Sequence, residues 1–319
     1  MFARISQLSR HLAPSTSLSA SSGARVGPRI ATMAAAANAS RKIQTAACLI
    51  IGDEVLNGKT VDTNSAFMAK WCFSMGIRLK RVEVVEDDQG DIMEAVRKMS
   101  ANYDFVVTSG GIGPTHDDIT YDSIAKAFDL PLKRYEVAFE RMKRLSKPHP
   151  QQPNFSWEED SPALQAKLRM VTLPMDESRP LESQFIFANE EMWVPIAVVN
   201  GNVHILPGIP RLFQALLEGL TPHIKPRLMD PDGKAISRIV ISTPLPESTV
   251  AAYLTQLAAK VEPKGIKVGS YPHWGEARNS VTLTGRDVEY MESLVKEVVD
   301  NVDGRREAIT TDLSTPKQE

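Results

Sequence analysis

The residues best suited to chemistry lie in one run, Ser109 to Asp118, where glycines precede two adjacent carboxylates. The run follows an apolar segment, Asp104 to Thr108, and leads into a segment of helical periodicity, Thr120 to Phe128. Glycines let the backbone turn sharply and let amide groups approach an anion, and a helix N-terminus behind them favours negative charge. The run therefore predicts a strand-to-helix turn that binds an anion such as phosphate.

The carboxylates of Asp117 and Asp118 would repel a phosphate at this turn unless a cation lay between them. They predict a hard divalent metal, Mg²⁺, Mn²⁺ or Co²⁺, as expected where a phosphoanhydride is bound or broken. Helix capping explains one such Asp equally well, but two acids among four glycines and prolines exceed that need. The run lacks the ending of the P-loop and the spacing of the dinucleotide fingerprint, so kinase and hydride-transfer functions lose support.

Two further acidic loops follow predicted strands. Asp53 and Glu54 come directly after the first strand, and Glu86, Asp87 and Asp88 come after the second. A single acidic loop is more often only a solvated turn. Because the carboxyl ends of parallel strands meet at one edge of a sheet, the three acidic loops together predict one shared site.

Strand and helix patterns alternate regularly through the first half of the chain. The predicted elements are strand Ala46–Ile51, helix Asn64–Met75, strand Ile77–Val85, helix Gln89–Ser100 and strand Asp104–Thr108. Such alternation predicts an α/β fold with a mostly parallel sheet and helices on both faces. A hairpin is expected around Asn200 to Asn202, between strands 193–199 and 203–206. Pro207 and Gly208 then lie in a second rigid loop, before helix 211–220, which either binds ligand or only packs.

The last third of the chain predicts a small α+β domain, residues 236–304, after a main domain spanning 44–225. Its predicted elements are strand Ser237–Thr243, helix Glu247–Val261, strand Gly265–Ser270, strand Asn279–Leu283 and helix Val288–Val302. No cluster of acids, bases or nucleophiles occurs there, so a scaffold or oligomerisation role leads, and we expect a homo-oligomer. Residues 305–319 are expected to be a disordered tail.

The first 43 residues differ in composition from the rest. Six of the 37 basic residues precede Ile43, whereas the first of the 39 acidic residues is Asp53. This composition predicts a disordered mitochondrial targeting leader, residues 1–43, and a matrix location, with a cytosolic form possible from an internal start at Met33. Without the leader the body carries about −8 charges, which argues against broad nucleic-acid binding.

Neither membrane insertion nor cysteine chemistry is expected. No apolar window approaches the length of a membrane span. Cys48 and Cys72, the two cysteines of the chain, both lie in apolar runs and are interpreted as reduced core thiols.

Five segments together resemble the molybdopterin-binding domain superfamily, which includes MogA, MoaB, the CinA-like proteins and the N-terminal domain of animal FAD synthase. These segments are Gly52–Gly58, Asp62–Asn64, Val84–Asp87, Ser109–Asp118 and Leu206–Pro210. The resemblance spans about Ala46 to Ile224, and Ser237 to Val302 looks like the small domain that follows in the CinA-like and FAD-synthase branch. It implies a three-layer α/β/α sandwich.

The resemblance implies two competing chemistries. The cofactor branch binds and adenylylates molybdopterin, whereas the branch most similar to this chain includes metal-dependent pyrophosphatases acting on FAD or ADP-ribose. Asn64, the Thr-His-Asp-Asp sequence and the small second domain match the latter branch. No FAD-forming or deamidase domain is recognised, so we expect neither of those activities. A flavin- or pterin-binding protein without catalysis remains an alternative.

The resemblance makes Asp118 and Asp87 the leading acids of a pyrophosphate-hydrolysing site. A metal held by Asp118, Asp117 and either Asp53 or Glu54 would bridge phosphate oxygens and activate a water. Asp87 or His116 would orient that water, and replacing Asp118 with Asn is expected to abolish turnover without unfolding. The candidate ligand-binding residues are Asn64, Gly110, Gly111, Gly113, Thr115, Pro207 and Gly208. Lys59, Arg81 and Arg211 are equal candidates for a cation that meets the ligand.

Overall fold

A computed structural model describes residues 28–146, 150–152, 155–231, 236–273, 275 and 278–307. Two separate hydrophobic cores divide these residues into two units. The larger unit has buried core residues from Ile43 to Leu228, and the smaller unit has them from Ile239 to Val302.

The larger unit combines nine α-helices and eight strands within the described residues. Its helices are α1 (Pro28–Ser40), α2 (Asp53–Leu56), α3 (Asn64–Ser74), α4 (Gln89–Asn102), α5 (Thr120–Ala127), α6 (Glu136–Leu145), α7 (Pro162–Arg169), α8 (Pro210–Gly219) and α9 (Thr221–Ile224). Its strands are β1 (Thr45–Ile51), β2 (Arg78–Val85), β3 (Phe105–Ser109), β4 (Leu132–Arg134), β5 (Thr172–Pro174), β6 (Phe185–Ile186), β7 (Ile196–Val199) and β8 (Val203–Leu206). Short 3₁₀ turns occupy Leu181–Ser183 and Lys225–Arg227.

A six-stranded sheet in the order β2-β1-β3-β8-β7-β6 forms the centre of the larger unit. The first four strands are parallel, and β7 and β6 are antiparallel to their neighbours. β3 is buried along its whole length, as a strand covered on both faces must be. Helix α3 packs beside α8, and α4 beside α5. The predicted α/β sandwich with a mostly parallel sheet is therefore confirmed.

Some strands of the larger unit differ from the prediction. The strand expected over 193–199 begins only at Ile196, because Pro195 has no N–H to donate to a ladder. β6 pairs with this strand, β7. β4 and β5 form a separate two-stranded sheet that the periodicity did not reveal. These strands are two or three residues long, too short to show an alternating pattern.

The expected disorder of residues 1–43 is wrong for residues 28–43, while residues 1–27 lie outside the described part. Helix α1 packs on the β7–β8 turn, where the Asn38 Nδ2 donates to the Asn200 carbonyl oxygen at 3.0 Å. Arg227 donates in turn to the Asn38 carbonyl oxygen, and Ala35 is buried. The alanine run in this helix has high intrinsic helix propensity, which outweighed the leader-like composition.

The smaller unit is an antiparallel sheet covered by two helices. Its elements are β9 (Ser237–Thr243), α10 (Glu247–Val261), a 3₁₀ turn (Glu262–Lys264), β10 (Lys267–Pro272), β11 (Asn279–Gly285), α11 (Val288–Asn301) and β12 (Arg305–Arg306), with strand order β10-β11-β9-β12. The predicted small α+β domain is confirmed. The expected disordered tail is wrong at its first two residues, which pair with β9; residues 308–319 are outside the described part.

Two arginines join the smaller unit to the end of α3. The Arg286 Nη2 donates to the Gly76 carbonyl oxygen at 2.6 Å, and the Arg238 guanidinium lies 5.0 Å from the centre of the Phe73 ring. In the described residues no helix is long and apolar enough to cross a membrane.

Candidate functional site

The glycine turn follows β3, between the loops that follow β1 and β8. Gly110 has φ +113° and Gly111 has φ +64°, which side-chain-bearing residues rarely adopt. A Cβ on Gly110 would lie 2.1 Å from the Ile51 carbonyl oxygen, and one on Gly111 would lie 2.3 Å from the Thr120 Oγ1. Only glycine fits at these two positions, so the predicted sharp turn is present and tightly packed.

Helices α3, α5 and α8 begin beside the glycine turn. Helix α5 is attached to the turn, since the Thr120 N–H donates to the Gly111 carbonyl at 3.0 Å and its Oγ1 donates to the Gly110 carbonyl at 2.9 Å. The N-termini of α5 and α8 carry no side-chain cap, whereas Asp62 accepts from the first amides of α3. The uncapped first turns carry partial positive charge that favours an anion.

Asn64 joins two of the predicted binding loops rather than presenting its donors to a ligand. Its Nδ2 donates to the Ser109 Oγ at 2.9 Å and to the Gly208 carbonyl at 2.8 Å, and its buried Oδ1 has no partner. Gly208 approaches so closely that a Cβ there would lie 3.1 Å from the Gly110 Cα. Pro207 is buried beside it. Asn64 was expected to bind the ligand. Its amide N–H groups instead hold the two loops together.

Asp53 and Asp87 form a reciprocal pair across the loops after β1 and β2. The Asp87 Oδ2 accepts from the Asp53 N–H and the Asp53 Oδ1 accepts from the Asp87 N–H, both at 3.1 Å. The second oxygen of Asp87 faces the glycine turn, 3.5 Å from where a Cβ of Gly111 would lie. Burial raises the pKa of Asp87, and the charges of Asp53, Glu54 and Asp117 raise it further. The carboxylates of Asp53, Glu54, Asp87 and Asp117 therefore bring negative charge close to the turn.

Asp118 has a different environment, because both of its carboxylate oxygens bond within its own turn. It accepts from the Gly113 N–H at 2.6 Å, from the Thr115 N–H at 2.8 Å and from the Thr115 Oγ1 at 2.6 Å. Gly110 donates its N–H to the Leu206 carbonyl. The expectation that all amides from Gly110 to Gly113 hold phosphate is therefore wrong for the first and last of them. The Thr115 hydroxyl likewise donates to the Asp118 carboxylate.

Asp117 and His116 lie at the open mouth of the turn. The His116 Nδ1 is 3.8 Å from the Asp117 Oδ1, and both side chains are exposed. The Thr115 side chain lies close enough to Asp117 to lower the pKa of its carboxyl, and the bond to its own backbone amide and the nearby His116 and Arg169 charges lower it further. Asp117 therefore stays ionised and accessible.

Arg169 is a cation that the sequence analysis missed. It ends α7, and its Nη2 donates to the Asp118 carbonyl oxygen at 3.2 Å. Of the cations expected to meet the ligand, Arg81 pairs with Glu83 instead, Lys59 is exposed between α2 and α3, and Arg211 is exposed in the first turn of α8. Only the tertiary packing of α7 brings Arg169 here, since about fifty residues separate it from the turn.

The structure groups Asp53, Glu54, Asp87 and Asp117 at one edge of the sheet and turns Asp118 inward. Across the described ranges, no three His, Cys, Asp or Glu residues are grouped tightly enough to hold a metal ion. Mg²⁺ is commonly held by one or two carboxylates together with substrate phosphates and waters. The free oxygen of Asp53 and the exposed carboxylate of Glu54 suit that kind of shared site.

The sequence matches two protein families in succession. Residues 47–228 match the family described as "Probable molybdopterin binding domain", and residues 236–307 match "FAD synthase, middle domain". A "Probable FAD synthase" of Caenorhabditis elegans is 30% identical over 261 residues, covering 80% of this chain and 48% of that protein. The chain thus spans about half the length of this relative.

Other relatives differ in how much of their length is matched. A "CinA-like protein" of Anaeromyxobacter dehalogenans is 25% identical over 264 residues, 81% of this chain and 59% of that protein. "Protein PH0439" of Pyrococcus horikoshii is 31% identical over 255 residues, 78% of this chain and 92% of that protein. The crystal structure of CinA from Thermoplasma acidophilum aligns with a TM-score of 0.46 at 30% identity, covering 57% of this chain and 98% of that one.

Proposed function

We propose that the chain, which belongs to the molybdopterin-binding domain family, hydrolyses the pyrophosphate bond of FAD, or of a related ADP-linked nucleotide such as ADP-ribose, with a divalent metal. The carrying observation is the Asp53–Asp87 pair beside Gly111, at the edge where the uncapped helices α5 and α8 begin. The helix N-termini at this edge attract phosphate, and the neighbouring carboxylates are stabilised by a bound cation.

The side chains present fit a divalent metal. Asp53 and Glu54, in the short helix α2 that follows β1, are hard oxygen donors. Burial raises the pKa of Asp87, and the charges of the neighbouring acids raise it further. Asp53 and Glu54 would hold the ion, with substrate phosphates completing the donor set. The ion, when bound, supplies charge neutralisation at the phosphates and lowers the pKa of a water.

The protein groups then have separate tasks in the hydrolysis. The N-terminal ends of α5 and α8 attract the diphosphate through their partial positive charge, and Arg169 adds positive charge beside the turn. Asp87 accepts a proton from the attacking water, a task to which its raised pKa is suited. The water oxygen bonds to one phosphorus as the bond from that phosphorus to the bridging oxygen breaks. The bridging oxygen leaves with the other phosphate, so FAD gives FMN and AMP.

The choice of substrate is supported by the names of relatives. A relative matched over 80% of this chain is named a probable FAD synthase, and the smaller unit matches the middle domain of FAD synthase. These matches favour FAD above other ADP-linked nucleotides. Metal dependence and the direction of the reaction are part of the proposal.

The test is chromatography with mass detection of the full chain incubated with FAD or ADP-ribose and Mg²⁺, Mn²⁺ or Co²⁺. The proposal expects FMN and AMP from FAD, and loss of both products with EDTA. A parallel reaction with ATP and molybdopterin distinguishes the other branch of the family. Adenylylated pterin without FMN would replace the proposal by adenylyl transfer, and tight FAD binding without product would replace it by a binding protein.

A further inference from the structure

Two loops flank the glycine turn and both touch it. In the sheet, β3 lies between β1 and β8, so the loops after those strands lie on either side of Gly110. Ile51, at the end of β1, is close enough to exclude any side chain at Gly110, and Gly208 in the other loop approaches the Gly110 Cα. The Asn64–Gly208 hydrogen bond of 2.8 Å closes the assembly. Whatever these loops expose therefore borders the ligand site.

The two loops expose three large hydrophobic side chains to solvent. Leu56 is 50% exposed, Val61 is 75% exposed and Ile209 is 61% exposed. Leu56 ends the short helix α2 that follows β1, Val61 lies between α2 and α3, and Ile209 follows Gly208 directly. Exposed aliphatic side chains gain free energy when an apolar surface covers them. We define these three residues as the apolar rim.

We propose that the apolar rim holds the planar heteroaromatic ring of the ligand whose phosphates lie at the glycine turn. The inference rests on the proposed function for the position of the phosphates. A flavin or adenine ring has large apolar faces and is attached to the phosphates through a short sugar or sugar alcohol. The rim borders the turn on two sides, so a single ligand reaches both regions.

The size of the rim favours a ring over a second protein chain. A stable protein–protein interface buries about 800 Å² on each partner. Three aliphatic side chains offer about 60–120 Å² each. Charged and polar residues also interrupt them in the sequence, namely Asn57, Lys59 and Asp62. The rim is therefore too small for a stable dimer and large enough for one ring.

The experiment measures binding by the full chain separately from turnover. The dissociation constant for FAD is obtained from the quenching of flavin fluorescence, and that for inorganic pyrophosphate, which has no ring, from competition. The variant Leu56→Ser/Val61→Ser/Ile209→Ser is expected to bind FAD at least tenfold more weakly and pyrophosphate unchanged. Val137→Ser, an equally exposed aliphatic on α6, is the matched control and should change neither constant.

The outcomes separate this inference from the proposed function. If the triple variant bound FAD and pyrophosphate equally more weakly, or bound FAD as the wild type does, the proposed role of the apolar rim would be wrong. Conversion of an oligomer into monomers by the triple variant, seen by sedimentation, would assign the rim to a second copy and overturn it as well. If the wild type bound FAD through the rim without hydrolysing it, the rim would stand and the hydrolase proposal would fail.

Discussion

Two acidic regions meet at one edge of the sheet and use their carboxylates in opposite ways. In the loops after β1 and β2, Asp53 and Asp87 exchange backbone hydrogen bonds and keep one oxygen each outside the pair. In the glycine turn after β3, Asp118 uses both oxygens on Gly113 and Thr115. In the first region one oxygen of each carboxylate remains available to a ligand. In the second region both oxygens of the carboxylate form hydrogen bonds that fix the shape of the turn.

An acid of the sequence motif can therefore serve the shape of its own turn rather than face the ligand. The pKa of Asp87 is raised by burial and by three neighbouring acids, so its negative charge is costly without a cation. The Asp118 carboxylate is stabilised by three hydrogen bonds inside the turn. We therefore expect ligand chemistry to depend on the first region and the turn's geometry to depend on the second.

The largest expected effect comes from disrupting the turn itself. Gly110→Ala places a Cβ against the Ile51 carbonyl and imposes a side chain at φ +113°, so we expect a loss of about 2–5 kcal/mol of folding free energy. Gly58→Ala is the matched control, because φ is +77° there but nothing lies within 4 Å; it should cost about 1–2 kcal/mol. Urea unfolding measures both. Equal losses would show that the close approach at Gly110 is unimportant.

The next largest effect is a loss of turnover without a loss of stability. Asp87→Asn should reduce turnover at least about 100-fold, the order seen when one group is removed from an electrostatically organised site, without destabilising the protein. An Asn oxygen still accepts from the Asp53 N–H. Asp88→Asn, a change at the N-cap of α4, is the adjacent control and should retain turnover. Activity and thermal unfolding are measured together, and full activity in Asp87→Asn would refute the assigned role.

Asp118→Asn should show the opposite balance. Its amide NH₂ would face N–H or O–H donors of Gly113 or Thr115, so we expect a loss of about 1–3 kcal/mol of stability. Turnover should fall only about tenfold, through displacement of the turn. Denaturation midpoints and kinetic constants measured on one preparation compare the two variants. Abolished turnover with unchanged stability, as the sequence motif alone suggests, would make Asp118 a ligand-contacting acid and reverse the comparison.

A smaller effect is a pH dependence that arises from the first region. The pKa of Asp87 is raised in the folded protein, so its contribution to stability is present below the unfolded pKa and is lost as the pH rises through the folded pKa. Asp87→Asn should therefore gain stability relative to the wild type as the pH rises from acid to neutral. Added divalent metal should stabilise the wild type most at neutral pH. Parallel stability profiles for the two proteins would contradict this.

The smallest effect tests whether the smaller unit is a scaffold. Arg286→Ala removes a hydrogen bond to the Gly76 carbonyl and should cost about 1 kcal/mol while leaving turnover unchanged. Lys296→Ala, which removes an exposed ion pair with Asp300 within α11, is the control and should cost about 0.3–0.5 kcal/mol. A selective fall in turnover with Arg286→Ala would show that α3 carries an influence from the smaller unit to the site.

The sequence predicted elements best where one signal repeats along them. Strand Ser237–Thr243 and helix Glu247–Val261 have the expected bounds, because an apolar β-branched run and a helical apolar stripe mark them locally. The shared sheet edge was predicted because parallel strands joined by helices all end at the same edge. The short strands β4 and β6 were missed because their stability comes from tertiary pairing. Helix α1 was missed because the prediction gave more weight to the leader-like composition than to the alanine run.

The site was predicted in part. The glycine turn and the convergence of acidic loops follow from strand ends, which the sequence marks. The sequence could not show that the Asp118 oxygens turn inward, since their direction depends on the backbone path between Gly113 and Asp118. Nor could it place Arg169 beside the turn, because that contact spans 51 residues and requires the packing of α7.

The central claim is that water, directed by the Asp53–Asp87 region, splits a pyrophosphate bond. The most direct measurement is incubation of the full chain with FAD and Mg²⁺, Mn²⁺ or Co²⁺ in ¹⁸O-labelled water, followed by mass analysis of the products. Hydrolysis by the proposed route gives FMN and AMP with a single ¹⁸O atom in one of the two, and Asp87→Asn should form both products at least about 100-fold more slowly. Unchanged FAD with every metal, or products that carry no label, would contradict it.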